Sequence, residues 1–218
     1  MKTIIKLLVL NLILISSNLS FISFAQDKTD YQIYVTVLSN RFNKWNVNID
    51  TVKRIIISSK SNFSEIDYSS INSTINEILN GNEQDLFFYA RNDLNSYKSF
   101  KNDTVKNLLK DFKAIKNISV ELKNDGFEGH SNFEIINSSE IDKIFKGHYY
   151  DKQWKRFNKK YTNSHGYYQF SLIANSSEFA VLYYIRESAP LSADGNLVAL
   201  RKIDGKWTVI FSLYLWQS

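Results

Sequence analysis

Apolar and polar residues alternate through four segments of the last third of the chain, at 167–173, 179–186, 197–202 and 207–216. Period-two alternation bounded by turn chemistry predicts β-strands. The separators carry that chemistry: Asn175-Ser176-Ser177, the stretch from Pro190 to Gly195, and Asp204-Gly205. Four such strands in succession predict an antiparallel meander. Just ahead of them Trp154, Phe157 and Tyr161 recur at helical spacing, with Asp151 available as N-cap.

Upstream the spacing turns mostly helical. Tyr31, Tyr34, Leu38, Phe42 and Trp45 mark an amphipathic helix over 30–45, with Thr29 or Asp30 as its cap. Residues 53–58, with Ile55, Ile56 and Ile57, predict a β-branched strand. Ile71, Ile75, Ile78 and Leu79 predict a helix capped by Ser69 or Ser70 and stopped at Asn80-Gly81. A second helix follows over 83–94. The clearest period of all is Val105, Leu108, Leu109, Phe112 and Ile115, capped by Asp103. Residues 118–122 and 132–136 read as two strands around Asn124-Asp125-Gly126. Ser139 with Asp142 resembles a capping box opening a short helix that ends before Gly147.

Alternation sorts the C-terminal side chains into two sets. Tyr168, Phe170 and Leu172, then Phe179, Val181, Tyr183 and Ile185, then Trp207, Val209, Phe211 and Leu213 form a purely apolar side. Tyr167, Gln169 and Ser171, then Ala180, Leu182, Tyr184 and Arg186, then Thr208, Ile210, Ser212 and Tyr214 form a mixed one. Flat rings beside short polar groups suit a sugar or a peptide, so Tyr167, Gln169, Tyr184, Arg186 and Tyr214 are the candidate ligand-binding residues. The competing reading is a second core layer, covered by the N-terminal helices or the strand at 53–58.

Composition adds the setting. Lys2 and Lys6, an apolar run from Leu7 to Ile15 and the small-x-small ending Ser23-Phe24-Ala25 read as a secretory signal peptide over 1–25. Asn11, Ser16, Ser17, Asn18 and Ser20 shorten the run below the roughly 20 apolar residues of a spanning helix. No cysteine occurs, so a lipid-bearing cysteine, disulfides and thiolate chemistry are all excluded. Removing Lys2 and Lys6 from 27 basic residues leaves 25 against 22 acidic ones, a net +3. That excess forms no nucleic-acid footprint. The basic residues Lys152, Lys155, Arg156, Lys159 and Lys160 read as the solvated side of one helix.

The C-terminal stretch also resembles a known family. It carries Trp154-x-x-Phe157-x-x-x-Tyr161, then Ser164-His165-Gly166, Ala180-Val181-Leu182-Tyr183, Gly195-x-Leu197-Val198, Gly205-Lys206-Trp207 and a terminal Trp216-Gln217-Ser218. These are similar to an uncharacterised family of secreted proteins from low-GC Gram-negative bacteria, over about the last 70 residues. The resemblance implies a helix followed by a β-meander, and no activity. The chain departs from it in Asn163, Ser164 and His165 before the glycine, and in a loop before Leu197 that keeps one glycine. The closing Asp-Gly-Lys-Trp hairpin also resembles the last turn of nuclear-transport-factor-2-like α+β folds.

Chemistry has few candidates. The histidines His130, His148 and His165 lack the short spacing that sets two metal ligands on one face, so no metal site and no cofactor are expected. His165, Ser192 and Asp194 all fall in loops beside the sheet, and Glu187 with Asp194 flanks one of them. Together they define a hydrolase alternative, without a Gly-x-Ser-x-Gly elbow to support it. The expectation is thus a single α+β domain over 26–218, a four-stranded meander packed on amphipathic helices. Its expected role is that of a secreted, non-lipidated, non-enzymatic binding or structural module for a glycan or peptide in the periplasm or outside the cell.

Overall fold

A computed structural model of the protein describes residues 27–60, 68–81, 98–99, 101–115, 118, 121–147 and 149–218. The signal peptide, the helix expected over 83–94, residues 119–120 of the strand expected over 118–122, and His148 lie outside the described residues. Helices are α1 (Lys28–Lys44), α2 (Tyr68–Asn80), α3 (Asp103–Ile115), α4 (Ser138–Ile144) and α5 (Tyr150–Lys160). Strands are β1 (Arg54–Ser58), β2 (Phe133–Ile136), β3 (Ser164–Phe170), β4 (Ala174–Asn175), β5 (Phe179–Ala189), β6 (Ser192–Ile203) and β7 (Lys206–Gln217). None of the described helices is long and apolar enough to cross a membrane.

The class is α+β, but the sheet is larger and more mixed than a four-stranded meander. Its order is β2-β1-β3-β5-β6-β7, with the two-residue β4 pairing β5. β5, β6 and β7 run antiparallel, as does β3 against β5, whereas β1 lies parallel to both β2 and β3. The segment over 132–136 therefore pairs with the distant β1, and among the described residues before it Glu121 bridges Lys60 and the Leu122 amide donates to the Ser59 carbonyl at 2.7 Å. Around Asn124 the chain makes a 3-10 turn.

Helix caps fall earlier than the spacing predicts. Asp27, not Thr29 or Asp30, caps α1, its Oδ1 accepting from the Thr29 and Asp30 amides at 2.7 and 3.1 Å. Asn102, not Asp103, accepts from the Thr104 and Val105 amides at 2.9 and 3.2 Å. Asn137 serves α4 in place of Ser139, and Asp151 lies inside the first turn of α5 behind Tyr149. A capping oxygen reaches amides two or three residues onward, so it precedes the first turn. The acids read as caps instead sit where the positive end of the helix dipole favours them.

Both sheet faces are covered. On one, α2 and α3 pack Ile71, Ile75, Leu109 and Phe112 against Val181, Tyr183, Leu197, Phe211 and Leu213. On the other, α1 packs Tyr34, Leu38 and Phe42 against Ile55, Ile57, Phe170, Leu182, Tyr184 and Val198. α4 and α5 cover β1 and β3 at the first face, with Ile141, Trp154, Phe157 and Tyr161 around Ile56 and Tyr167. Each face is therefore a core layer under helices.

Register changes which side chains share a face. Phe170 pairs with Tyr184 and Gln169 with Ile185, so Tyr168 and Phe170 join the α1 layer while Tyr167 and Gln169 face the other way. In β7 a bulge separates the Leu200–Val209 and Ala199–Phe211 pairs. Trp207 and Val209 consequently pack with the α1 layer, and Phe211 and Leu213 with α2 and α3. An extra residue flips everything beyond it to the opposite face.

Candidate functional site

The structure divides the candidate residues between two places on opposite faces of the sheet. Tyr167, Gln169 and Glu187 line a cavity of about 360 Å³. Its floor is β3 and β5 with Trp216 of β7, and its wall is α4, α5 and the turn between them. Arg186, Ser192, Asp194 and Tyr214 line a second, equally large and more open cavity beside Arg41 and Trp45 of α1. Tyr184 lies beneath α1, only 2% exposed, hydrogen-bonded to Arg41. The open tyrosine face set out from alternation is therefore not formed, because Tyr167 and Tyr184 sit on different faces and both are buried.

The second cavity is built on an ion pair. Arg41 donates from Nη1 and Nη2 to the two oxygens of Asp194 at 2.8 and 2.7 Å, with side-chain exposures of 6% and 8%. Burial works against the Arg41 charge, but Tyr184 and Asp194 more than restore it. Burial likewise pushes the Tyr168 hydroxyl up to about 12, with Arg186 and Arg41 opposing it. Two guanidiniums lie over the Trp45 ring, that of Arg41 4.6 Å and that of Arg186 4.8 Å from its centroid. This cluster fastens α1 to β6, and its chemistry is largely satisfied internally.

The residues of the hydrolase alternative do not converge. Asp194 is held by Arg41, the Ser192 hydroxyl shares a 2.9 Å bond with that of Ser188, and Glu187 accepts from the Tyr167 hydroxyl at 2.6 Å. The His165 ring packs edge-on against Phe42, and partial burial with the nearby Arg186 charge lowers its pKa. A general base must reach the proton it abstracts, and none of these acids or hydroxyls is hydrogen-bonded to His165. His130 lies against Phe133, and no group of three His, Asp or Glu side chains able to hold a metal is assembled among the described residues.

The first cavity has a different character. Trp154 and Tyr167 stack in its wall with centroids 6.3 Å apart and planes at 26°, and the Phe145 ring lies 5.5 Å from Tyr167. Tyr150, 70% exposed, stands at its mouth. Burial, and then Glu187, drives the Tyr167 hydroxyl far above its ordinary range, so it stays a donor to that carboxylate. Gln153, 1% exposed, donates from Nε2 to the Phe145 and Gly147 carbonyls at 2.7 Å each, which fixes the turn between α4 and α5. Its Oε1 is buried and has no hydrogen-bond partner among the described residues. Such an orphan acceptor costs about 1–3 kcal/mol unless something supplies a donor.

Two glycines shape these walls. Gly166 has φ +88°, and a Cβ there would fall 2.0 Å from the Glu187 carbonyl oxygen. A Cβ on Gly195 would fall 2.1 Å from the Tyr183 hydroxyl and 2.3 Å from Trp216 Nε1. That space lets Trp216 donate to Tyr183 at 2.7 Å and close one end of the cavity floor.

Arg41 and Gln153 are the site residues missed by alternation and motif. Both had a signal: each is a polar side chain on the apolar stripe of an amphipathic helix, Arg41 between Leu38 and Phe42–Trp45, Gln153 beside Trp154 and Phe157. Compared with protein families, curated proteins and solved structures, the chain matches none.

Proposed function

We propose that the protein is a secreted, non-enzymatic binding module of the periplasm or cell exterior, and that its site is the cavity between α4, α5 and the sheet. The observation that carries this is a cavity walled by the stacked Trp154 and Tyr167 rings, with Gln153, whose buried Oε1 has no hydrogen-bond partner among the described residues, in its lining. Concave, ring-lined pockets with a few fixed polar groups are the usual form of small-ligand sites. About 360 Å³ suits one sugar ring or one peptide side chain, so a glycan or peptide would present a single unit to it.

An array of glycans and peptides probed with the mature protein tests the reading. Tyr150→Ala removes an exposed ring at the mouth, and Glu187→Gln keeps an acceptor for Tyr167 while removing the charge. The expected result is a hit that both variants weaken several-fold. An array with no hit, or one whose hits neither variant changes, contradicts the proposal.

A further inference from the structure

Positive charge is concentrated on one stretch of the fold. Residues 138–160, from α4 through the turn to α5, hold seven Lys or Arg against Glu140, Asp142 and Asp151, a net +4. Residues 26–218 together net +3, so everything outside this stretch sums to −1. Within α5 the cations are sorted by side. Gln153, Trp154 and Phe157 are buried, whereas Lys152, Lys155, Arg156, Lys159 and Lys160 recur at three- and four-residue spacing and are all exposed. That spacing sets five cations on one outward stripe about 12 Å long. Lys143 and Lys146 are exposed at the adjoining end of α4, where the Ile144 carbonyl accepts from Arg156 Nη1 at 3.4 Å.

Most of these charges are left unneutralised by the fold. Lys160 pairs with Glu140 at 2.7 Å, but Lys143, Lys146, Lys152, Lys155, Arg156 and Lys159 form no ion pair among the described residues. Like charges three and four residues apart repel, so the stripe weakens α5 unless an anionic surface faces it. Two aromatic rings stand at its start. Tyr149 and Tyr150 are 69% and 70% exposed, and the Lys152 ammonium lies 4.7 Å from the Tyr149 ring centroid. Exposed tyrosines beside a polybasic stripe suit the headgroup zone of a bilayer, where tyrosine is enriched and Lys and Arg meet lipid phosphates.

We infer that α5, with the adjoining end of α4, docks the protein on an anionic phospholipid surface. The stripe faces the lipid phosphates, and Tyr149 and Tyr150 enter the headgroup layer. The contact is peripheral and reversible, because the apolar side of α5 is already buried in the fold. It uses the outward side of α5 and stands independently of the cavity reading. A nucleic acid would match the charge, but the paired tyrosines and the export expected from residues 1–25 favour lipid.

Cosedimentation of the mature protein with vesicles tests this, using phosphatidylcholine alone and phosphatidylcholine with phosphatidylglycerol in equal parts. Binding should be at least about tenfold tighter to the anionic vesicles and should fall away in high salt. Each cation at such a surface counts for about fivefold, so Lys152→Gln, Lys155→Gln and Lys159→Gln together should weaken binding roughly a hundredfold. Tyr149→Ala with Tyr150→Ala should weaken it several-fold and leave its salt dependence unchanged. Arg201→Gln, Lys202→Gln and Lys206→Gln, all exposed on the β6–β7 hairpin, remove the same charge elsewhere and should leave binding as it was. Equal loss in the two triple variants would show a response to net charge alone and overturn the inference. So would equal binding to neutral and anionic vesicles, or a single-stranded oligonucleotide held through α5 more tightly than the anionic vesicles.

Discussion

Asp30 occupies the first turn of α1, and burial, reinforced by the charge of Asp27, raises its pKa from 3.8 to about 6. A carboxyl raised on folding binds its proton more tightly in the native state, so it weakens the fold as it ionises. Below 3.8 it is protonated in both states and costs nothing. Between 3.8 and about 6 stability should therefore fall as pH rises, and above that range the full cost persists. Asp30→Asn should flatten this slope and raise stability at pH 7 by on the order of 1 kcal/mol, a figure kept small because the group is partly exposed. Urea unfolding at pH 4 and pH 7 checks it; equal effects of the substitution at both would be wrong for this assignment. The Arg41–Asp194 pair makes a second prediction at the same scale. Arg41→Ala should cost about 3–5 kcal/mol, because it leaves a buried carboxylate beside Arg186 alone. Replacing both partners, as Arg41→Met with Asp194→Leu, should recover most of that loss.

At the scale of the element, local pattern located α1 to α5 and every strand except the two-residue β4, because each needs only its own apolar stripe, alternation or cap signal. What it misjudged depends on partners far away in sequence. The pairing of β1 with β2 and β3 joins segments about 80 and 110 residues apart, and nothing in the five residues of β1 names its neighbours. The bulges in β7 follow from its match to β6, so a strict alternation carried Trp207 and Val209 to the wrong face. Turns behaved otherwise. Asp204 and Gly205 have φ of 48° and 77°, the left-handed pair that an Asp-Gly hairpin requires. Two of the glycines with positive φ, Gly205 and Gly166, should respond differently to one methyl group. Gly205→Ala meets nothing within 4 Å and should cost only the roughly 1–2 kcal/mol of left-handed strain. Gly166→Ala adds a clash with the β5 backbone and should cost about 2–5 kcal/mol. Thermal unfolding of the two variants ranks them, and a Gly166→Ala protein as stable as Gly205→Ala would rule out the close approach of β3 to β5.

Across the whole molecule, helices on both faces turn a surface set out as open into a core, and leave the binding chemistry to the gaps between helices and sheet. Two of the five candidate ligand residues, Tyr167 and Gln169, meet in the cavity under α4 and α5, together with Glu187 from the hydrolase alternative. Arg186 and Tyr214 border the other cavity. Residue type made the tyrosines and Glu187 legible as candidates; only register and helix placement decided which of them meet. The four tryptophans report on these places separately. Trp154 and Trp216 line the proposed site, Trp45 the Arg41–Asp194 cluster, and Trp207 a broad cleft beside α1 and the β6–β7 hairpin. Indole N–H signals recorded while a ligand mixture is added to the mature protein therefore test the central claim directly. The Trp154 and Trp216 signals should move together while Trp45 and Trp207 stay still; movement confined to Trp45 or Trp207 would contradict a ligand site under α4 and α5.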